Sequence, residues 1–311
     1  MQRREFMAAA TAAVALPTSI MAKDSPRMIP IIDTHQHLWD LTKFKLSWIN
    51  ESHPLNHNFT PIEYAEAIKG SNVVKSIYME VDVVPEQQQA EADYVTELCK
   101  AGNTTMVAAV VSGRPAADSF ADWAKQFKGS KYVKGVRQVI HADSTPPGFC
   151  LKPEFIKGVQ LLGELGLSFD ICIRPNELGD AGKLVDACPG TRFILDHCGN
   201  GPVKARDLTQ WKRDMTQLGT KKNLVSKVSG IVAGADKGKW TPADLAPIVN
   251  HTIERFGWDR VMFGGDWPVC TKAATYSQWV DALKEIVKDR KDDERARLFH
   301  DNAAKFYGLN G

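Results

Sequence analysis

The chain of 311 residues is 43% hydrophobic and 24% charged, the profile of a soluble globular protein. These proportions exclude a disordered tail and a collagen-like fibre, and the length suffices for a full core without disulfide or metal staples. Lys and Arg number 39 against 37 Asp and Glu, a formal net charge of +2 with no basic block, so no phosphate-tracking nucleic-acid surface is expected.

Residues 1–22 read as an export signal. Arg3-Arg4 followed by Phe6 and Met7 fits the twin-arginine pattern. The apolar run from Met7 to Leu16 is too short to cross a bilayer of roughly 30 Å as a helix, and small residues end it at Ala22. The expectation is a periplasmic protein whose domain occupies 23–311. No other segment reaches the ~18 apolar residues of a membrane span.

From there apolar, β-branched runs alternate with stretches of helical spacing. The runs are Pro30–Thr34, Val73–Val81, Thr105–Val111, Val133–Ile140, Leu167–Ile173, Arg192–His197, Leu224–Ser229 and Arg260–Gly264. Runs apolar almost throughout suit strands buried on both faces of a parallel sheet. Between them, Pro61–Lys69 follows Thr60 as N-cap and stops at Gly70, Gln87–Ala101 stops at Gly102, and Pro153–Leu165 stops at Gly166. Thr241-Pro242 opens a helix running to Phe256. Eight strand–helix units predict a single-domain (β/α)8 TIM barrel of the α/β class. A doubly wound open sheet is the alternative, but it would carry G-x-G-x-x-G after its first strand, where this chain has His-Gln-His.

In such a barrel the chemistry gathers where the strands end. The first run ends in Asp33-Thr34-His35-Gln36-His37, which puts two imidazoles on one face of an extended chain. The second ends in Glu80 and Asp82, and a carboxylate in an apolar run needs a partner or water. The fourth carries Arg137 and reaches His141. The fifth holds Asp170 and ends at Arg174, and the sixth ends in Asp196-His197. The eighth leads through Gly264-Gly265 to Asp266-Trp267-Pro268, where two glycines let the backbone approach a ligand. Three histidines and an aspartate at one mouth suit hydrolysis, the carboxylate taking a proton from water and the imidazoles polarising a carbonyl. The same set can instead hold one divalent metal. There is no G-x-S-x-G elbow or P-loop. The six cysteines (Cys99, Cys150, Cys172, Cys188, Cys198, Cys270) form no C-x-x-C pair and show no evident base partner; several lie in apolar strand-like runs, where a buried structural thiol is expected, and spacing leaves pairing after export open.

The ordered segments Ile32–Asp40, Gly135–Ile140, Leu167–Asp170, Leu195–Gly199, Lys227–Gly230 and Phe256–Val269 resemble the amidohydrolase-related lactonases, the branch of the amidohydrolase superfamily that contains sugar lactonases and 2-pyrone-4,6-dicarboxylate lactonase. The resemblance spans roughly Ile29 to Gly308. It implies a hydrolase that opens a cyclic ester, most simply a sugar aldonolactone. Asp266 would activate water, while His35, His37 and His197 position the substrate and polarise its carbonyl. Glu80, Arg137, Arg174, Trp39 and Trp267 are the expected substrate-binding residues, with Trp48 and Arg114 as further candidates. No cofactor is required in this reading. If one divalent cation such as zinc is bound, His35, His37 and Asp266 are its expected ligands. Other amidohydrolases use a carbamylated lysine on strand four and a histidine on strand five. Here those strands carry Arg137 and Asp170, which argues against a binuclear centre. The remaining alternatives are a metal-dependent amidohydrolase or decarboxylase acting on a small carboxylate, and a barrel that binds a sugar without turning it over. Beyond a small-molecule substrate, no nucleic-acid or membrane partner is expected.

Overall fold

All eight apolar runs form strands. In the computed structural model, which describes residues 28–309, they are β1 (Ile31–Gln36), β2 (Val73–Met79), β3 (Met106–Ser112), β4 (Val133–Val139), β5 (Ser168–Cys172), β6 (Arg192–Leu195), β7 (Leu224–Val228) and β8 (Val261–Phe263). They pair in parallel and in chain order. The sheet closes where the chain leaving β8 meets β1: Asp266 N donates to His35 O (2.7 Å), and His37 N donates to Trp267 O (2.8 Å). Thr34 Oγ1 adds a bond to Phe263 O (2.6 Å). A closed ring in sequential order excludes the doubly wound alternative. The expected export signal lies outside the described residues.

The helices are α1 (Pro61–Ala67), α2 (Gln88–Ala101), α3 (Phe120–Lys125), α4 (Pro153–Glu164), α5 (Leu178–Ala187), the single irregular turn α6 (His197–Asn200), α7 (Thr209–Leu218), α8 (Pro242–Phe256), α9 (Tyr276–Ile286), α10 (Asp292–Ala296) and α11 (Asn302–Tyr307). Thr60 caps α1 as its sequence predicts: Ile62 N donates to its hydroxyl (3.3 Å) and Thr60 N donates to Glu63 (2.9 Å), with Pro61 at the first position. Gly102 ends α2 with φ +63°, a conformation glycine adopts without strain.

Most strands are shorter than their apolar runs, β1 and β3 excepted, and the ends that differ are informative. The sixth run was expected to reach His197, yet β6 stops at Leu195 because His197 and Cys198 adopt φ of +55° and +52°. A left-handed pair cannot continue a ladder, so the chain turns up into the barrel mouth. The inner barrel layer holds Ile32, Ile77, Met79, Ala108, Val110, Ile194 and Met262, and it is closed underneath by Ala303, Ala304 and Tyr307 of α11. The larger core layer lies between strands and helices. Among the described residues, α11 plugs the bottom of the barrel and leaves the other end open to a ligand.

Candidate active site

β1 carries two kinds of polar residue on one short strand. Asp33 is fully buried toward the helices, where its carboxylate accepts from Tyr64 of α1 (2.8 Å), Tyr276 of α9 (3.0 Å) and Gly265 N (2.7 Å). His35, two residues on, faces the barrel axis instead. In a regular strand the two would share a face. The pairing with β2 shifts register between Asp33 and Gln36, and that irregularity turns the histidines inward. The strand thereby anchors itself outward through Asp33 and presents His35 and His37 inward.

Asp266 sits where these imidazoles converge. Its Oδ1 lies 3.3 Å from His37 Nε2, 3.7 Å from His35 Nε2 and 4.0 Å from His197 Nε2. The backbone around it is fixed by its own N–H on His35 O and by Cys270 N on its carbonyl (2.8 Å). Burial raises the Asp266 pKa, but the three imidazoles more than offset it and hold the carboxyl down at about 2, so it is ionised at neutral pH. Its φ is +53°, a left-handed conformation that costs on the order of 1 kcal/mol in a residue with a Cβ.

The other side of each ring sets its tautomer. His37 Nδ1 contacts the carbonyls of Met79 (3.0 Å) and Glu80 (3.1 Å). Carbonyls only accept, so Nδ1 carries the proton and Nε2 turns a lone pair toward Asp266. His35 Nε2 faces Arg137 Nη1 at 3.3 Å, and a guanidinium only donates, so its proton lies on Nδ1, opposite Asp196 Oδ1 at 3.4 Å. Burial pushes the His35 pKa well below the usual imidazole value, against the pull of Asp196. His197 Nδ1 meets Ser229 Oγ at 2.9 Å. Gly230 makes that position possible, because a Cβ there would overlap the His197 ring.

Beneath the imidazoles lies a charged layer with no exposed member. Lys227 on β7 places Nζ 2.5 Å from Asp170 Oδ2 and 3.3 Å from Asp196 Oδ1. Arg137 on β4 donates to Glu80 Oε1 (2.7 Å), Glu80 O (2.8 Å) and Asp196 Oδ2 (3.2 Å). Buried charges persist only when paired and hydrogen-bonded, and these pair in a ring spanning β2, β4, β5, β7 and the end of β6. On α2, buried Glu91 accepts from Val81 N (2.9 Å), Tyr78 (3.0 Å) and Ser112 N (3.2 Å), fixing the ends of β2 and β3.

A cavity of about 380 Å³ opens above this layer, and His37, His197, Asp266 and Arg137 reach its wall. Trp39 and Trp48 form one side, their indoles donating to His57 O and Val81 O (both 2.8 Å). Three residues expected to bind substrate do not line it. Glu80 is fully buried and spent on Arg137. Arg174 is spent on Glu177 (2.6 Å), Ala142 O (2.8 Å) and Thr145 O (2.9 Å), which makes it a loop staple. Trp267 is buried against Phe59 and Tyr64 at 5.2 and 5.4 Å between ring centroids. Arg114 pairs with Asp82 (2.9 Å), so it too is committed. The expectation that no cysteine has a base partner is corrected: Cys172 Sγ lies 3.1 Å from His141 Nδ1, and both line the cavity. Burial pushes the Cys172 thiol up, however, so it is a poor nucleophile. His53 and Lys272 also line the cavity, and nothing in their sequence surroundings marked them.

The donor chemistry around Asp266 fits one cation. His37 Nε2 and Asp266 Oδ1 are two acceptors facing each other at 3.3 Å, which requires a proton or a metal ion between them. His35, His197 and Asp266 offer ligand atoms within 4.8 Å of one another. The His37 and Asp266 atoms are about as far apart as two ligands of a tetrahedral zinc, which sit near 3.3 Å for bonds of roughly 2.0 Å. His37 falls outside that group, and His35 also shares its lone pair with Arg137.

A closed parallel barrel with imidazoles and a carboxylate gathered at the C-terminal mouth is the architecture of a metal-competent or acid–base hydrolase. The chain belongs to the amidohydrolase family, whose profile matches residues 32–309. It is 26% identical over 295 residues to an L-fucono-1,5-lactonase of Burkholderia multivorans, covering 89% of this chain and 96% of that one. It is 22% identical to an L-rhamnono-gamma-lactonase of Scheffersomyces stipitis, over 90% of this chain and 98% of the relative. Among solved structures, an amidohydrolase from Burkholderia multivorans with bound zinc superposes with a TM-score of 0.79 at 24% identity, over 90% of this chain and 99% of that one.

Proposed function

We propose that the protein hydrolyses a lactone, a sugar aldonolactone being the simplest substrate in view of the fuconolactonase and rhamnonolactonase relatives. The observation that carries this reading is the ionised Asp266 carboxylate at the focus of three imidazole Nε2 atoms on the floor of a cavity. Asp266 takes a proton from water as the water oxygen bonds to the lactone carbonyl carbon. His197, with its ring held by Ser229, polarises the carbonyl oxygen, and His37, with a proton between its Nε2 and Asp266 Oδ1, fixes the carboxylate. As the tetrahedral centre collapses, the ring C–O bond breaks. The departing ring oxygen takes the proton back from Asp266 and leaves as a hydroxyl, so that lactone and water become one hydroxy acid. A divalent cation such as zinc, when held by His35, His197 and Asp266, would add Lewis-acid polarisation of the carbonyl.

The test is a panel of aldonolactones in lightly buffered solution, where ring opening releases acid. Wild-type protein should acidify at least one member, and Asp266→Asn should lose about 10²–10⁴-fold in rate. Undiminished activity in Asp266→Asn would remove the base from the mechanism. Repeating the panel after chelation, with metal analysis of the protein, separates metal-free from metal-assisted turnover.

A further inference from the structure

The cavity wall is largely apolar above the charged floor. Trp39, Trp48, Leu55, Val81, Val139 and Val269 supply much of it, a poor match for a ring hydroxylated on every carbon. Its polar groups are nearly all committed. Arg137 is bonded to Glu80 and Asp196, and Asp82 is paired with Arg114. Two groups on the β1 and β8 side of the mouth are not.

His53 lies in the β1–α1 loop, edge-on to Trp48 with ring centroids 5.4 Å apart. Leu55 N donates to its Nδ1 (3.2 Å), so Nδ1 is an acceptor and the ring proton is on Nε2, leaving His53 with an outward N–H to give. Burial and then the Lys272 charge lower the His53 pKa, and both residues line the same cavity. Lys272 ends the short turn Val269–Lys272 that follows Asp266, and this turn is locked by Cys270 N on Asp266 O (2.8 Å) and Thr271 N on Pro268 O (2.9 Å). Lys272 lines the cavity, is exposed, and has no ion-pair partner among the described residues. An N–H donor and a free ammonium lining one cavity both call for an acceptor, and best for a negatively charged one.

We propose that Lys272 and His53 form an anion subsite, and that the substrate is a lactone bearing an ionised acid group, a carboxylate or a phosphate, rather than a neutral aldonolactone. This rests on the lactonase reading and narrows it. Lys272 determines specificity: it holds the far end of the substrate while the lactone carbonyl lies over Asp266.

The experiment compares matched probes by calorimetric binding to the Asp266→Asn protein, so that no turnover is needed. One pair is 5-oxotetrahydrofuran-2-carboxylate and its carboxamide, the other 6-phosphoglucono-1,5-lactone and glucono-1,5-lactone. The charged member of at least one pair should bind about tenfold more tightly at low ionic strength. Adding Lys272→Met should remove that preference and Lys272→Arg should keep it. The pair that responds identifies the anion. Equal binding within both pairs, binding of no probe, or a preference that survives Lys272→Met would overturn the proposal. Hydrolysis of the neutral members by wild-type protein is scored separately. Turnover without charge preference leaves the lactonase standing and the subsite refuted, whereas failure to open any lactone removes the lactonase reading itself.

Discussion

Asp266 and His197 both hold left-handed backbone angles, and this affects how each can be probed. Asparagine tolerates that region better than most residues, so Asp266→Asn removes the charge while keeping a backbone the site accepts. Its loss of rate then reads chemistry and not unfolding. Lys227 poses the opposite case. It is fully buried between Asp170 and Asp196, and burial raises the Asp170 pKa to about 7 even against the Lys227 charge. Lys227→Met should cost about 3–5 kcal/mol in urea denaturation, because it strands a carboxylate in the barrel. Adding Asp170→Asn should recover part of the loss. A single variant as stable as wild type would show that Arg137 alone neutralises the layer. Of these residues, His35, His37, His197 and Asp266 were legible in the sequence because polar groups at the ends of apolar runs stand out. Lys227 was not assigned a role, since a lysine in a strand run reads equally well as an exposed alternate position. Arg174 looks free at the end of its run, but Glu177, three residues on, claims its guanidinium.

At the scale of elements, the barrel mouth is built by what each strand does after its last ladder bond. β7 ends in Ser229-Gly230, which supplies a hydroxyl for His197 Nδ1 and then makes room for the ring. Gly230→Ala should therefore push the imidazole away, and its φ of +66° adds backbone strain. A displacement near 1 Å is expected to lower kcat about 10²-fold with a modest fall in Tm, measured by lactone turnover and calorimetry. A variant of normal kcat would show that His197 is not held from that side. The eight strands and their order were readable from the apolar runs, and the capped helices from Thr-Pro starts and glycine stops. What was hidden is every contact between elements distant in the chain. Glu91 looks like one more acid on an amphipathic helix, and only the packing of α2 on β2 and β3 makes it a buried acceptor of three bonds.

The whole molecule folds without covalent staples. All six cysteines are buried and unpaired, and burial lifts the thiols of Cys99, Cys150 and Cys198 to about 12. Native protein should show no rapidly reacting thiol toward Ellman's reagent at pH 8, and six after denaturation. A fast native thiol would mean that one of these residues is more accessible than its packing indicates.

The ring of strands has a seam where its first and last members meet, and the proposed reacting groups straddle it. His35 and His37 come from one lip, Asp266 from the other, and the same two backbone bonds that zip the lips together set the distance between base and imidazoles. On the proposed mechanism, catalytic competence and ring closure are thus one event. A chain with seven interstrand ladders formed and the eighth gap still open would have much of its secondary structure and none of its chemistry.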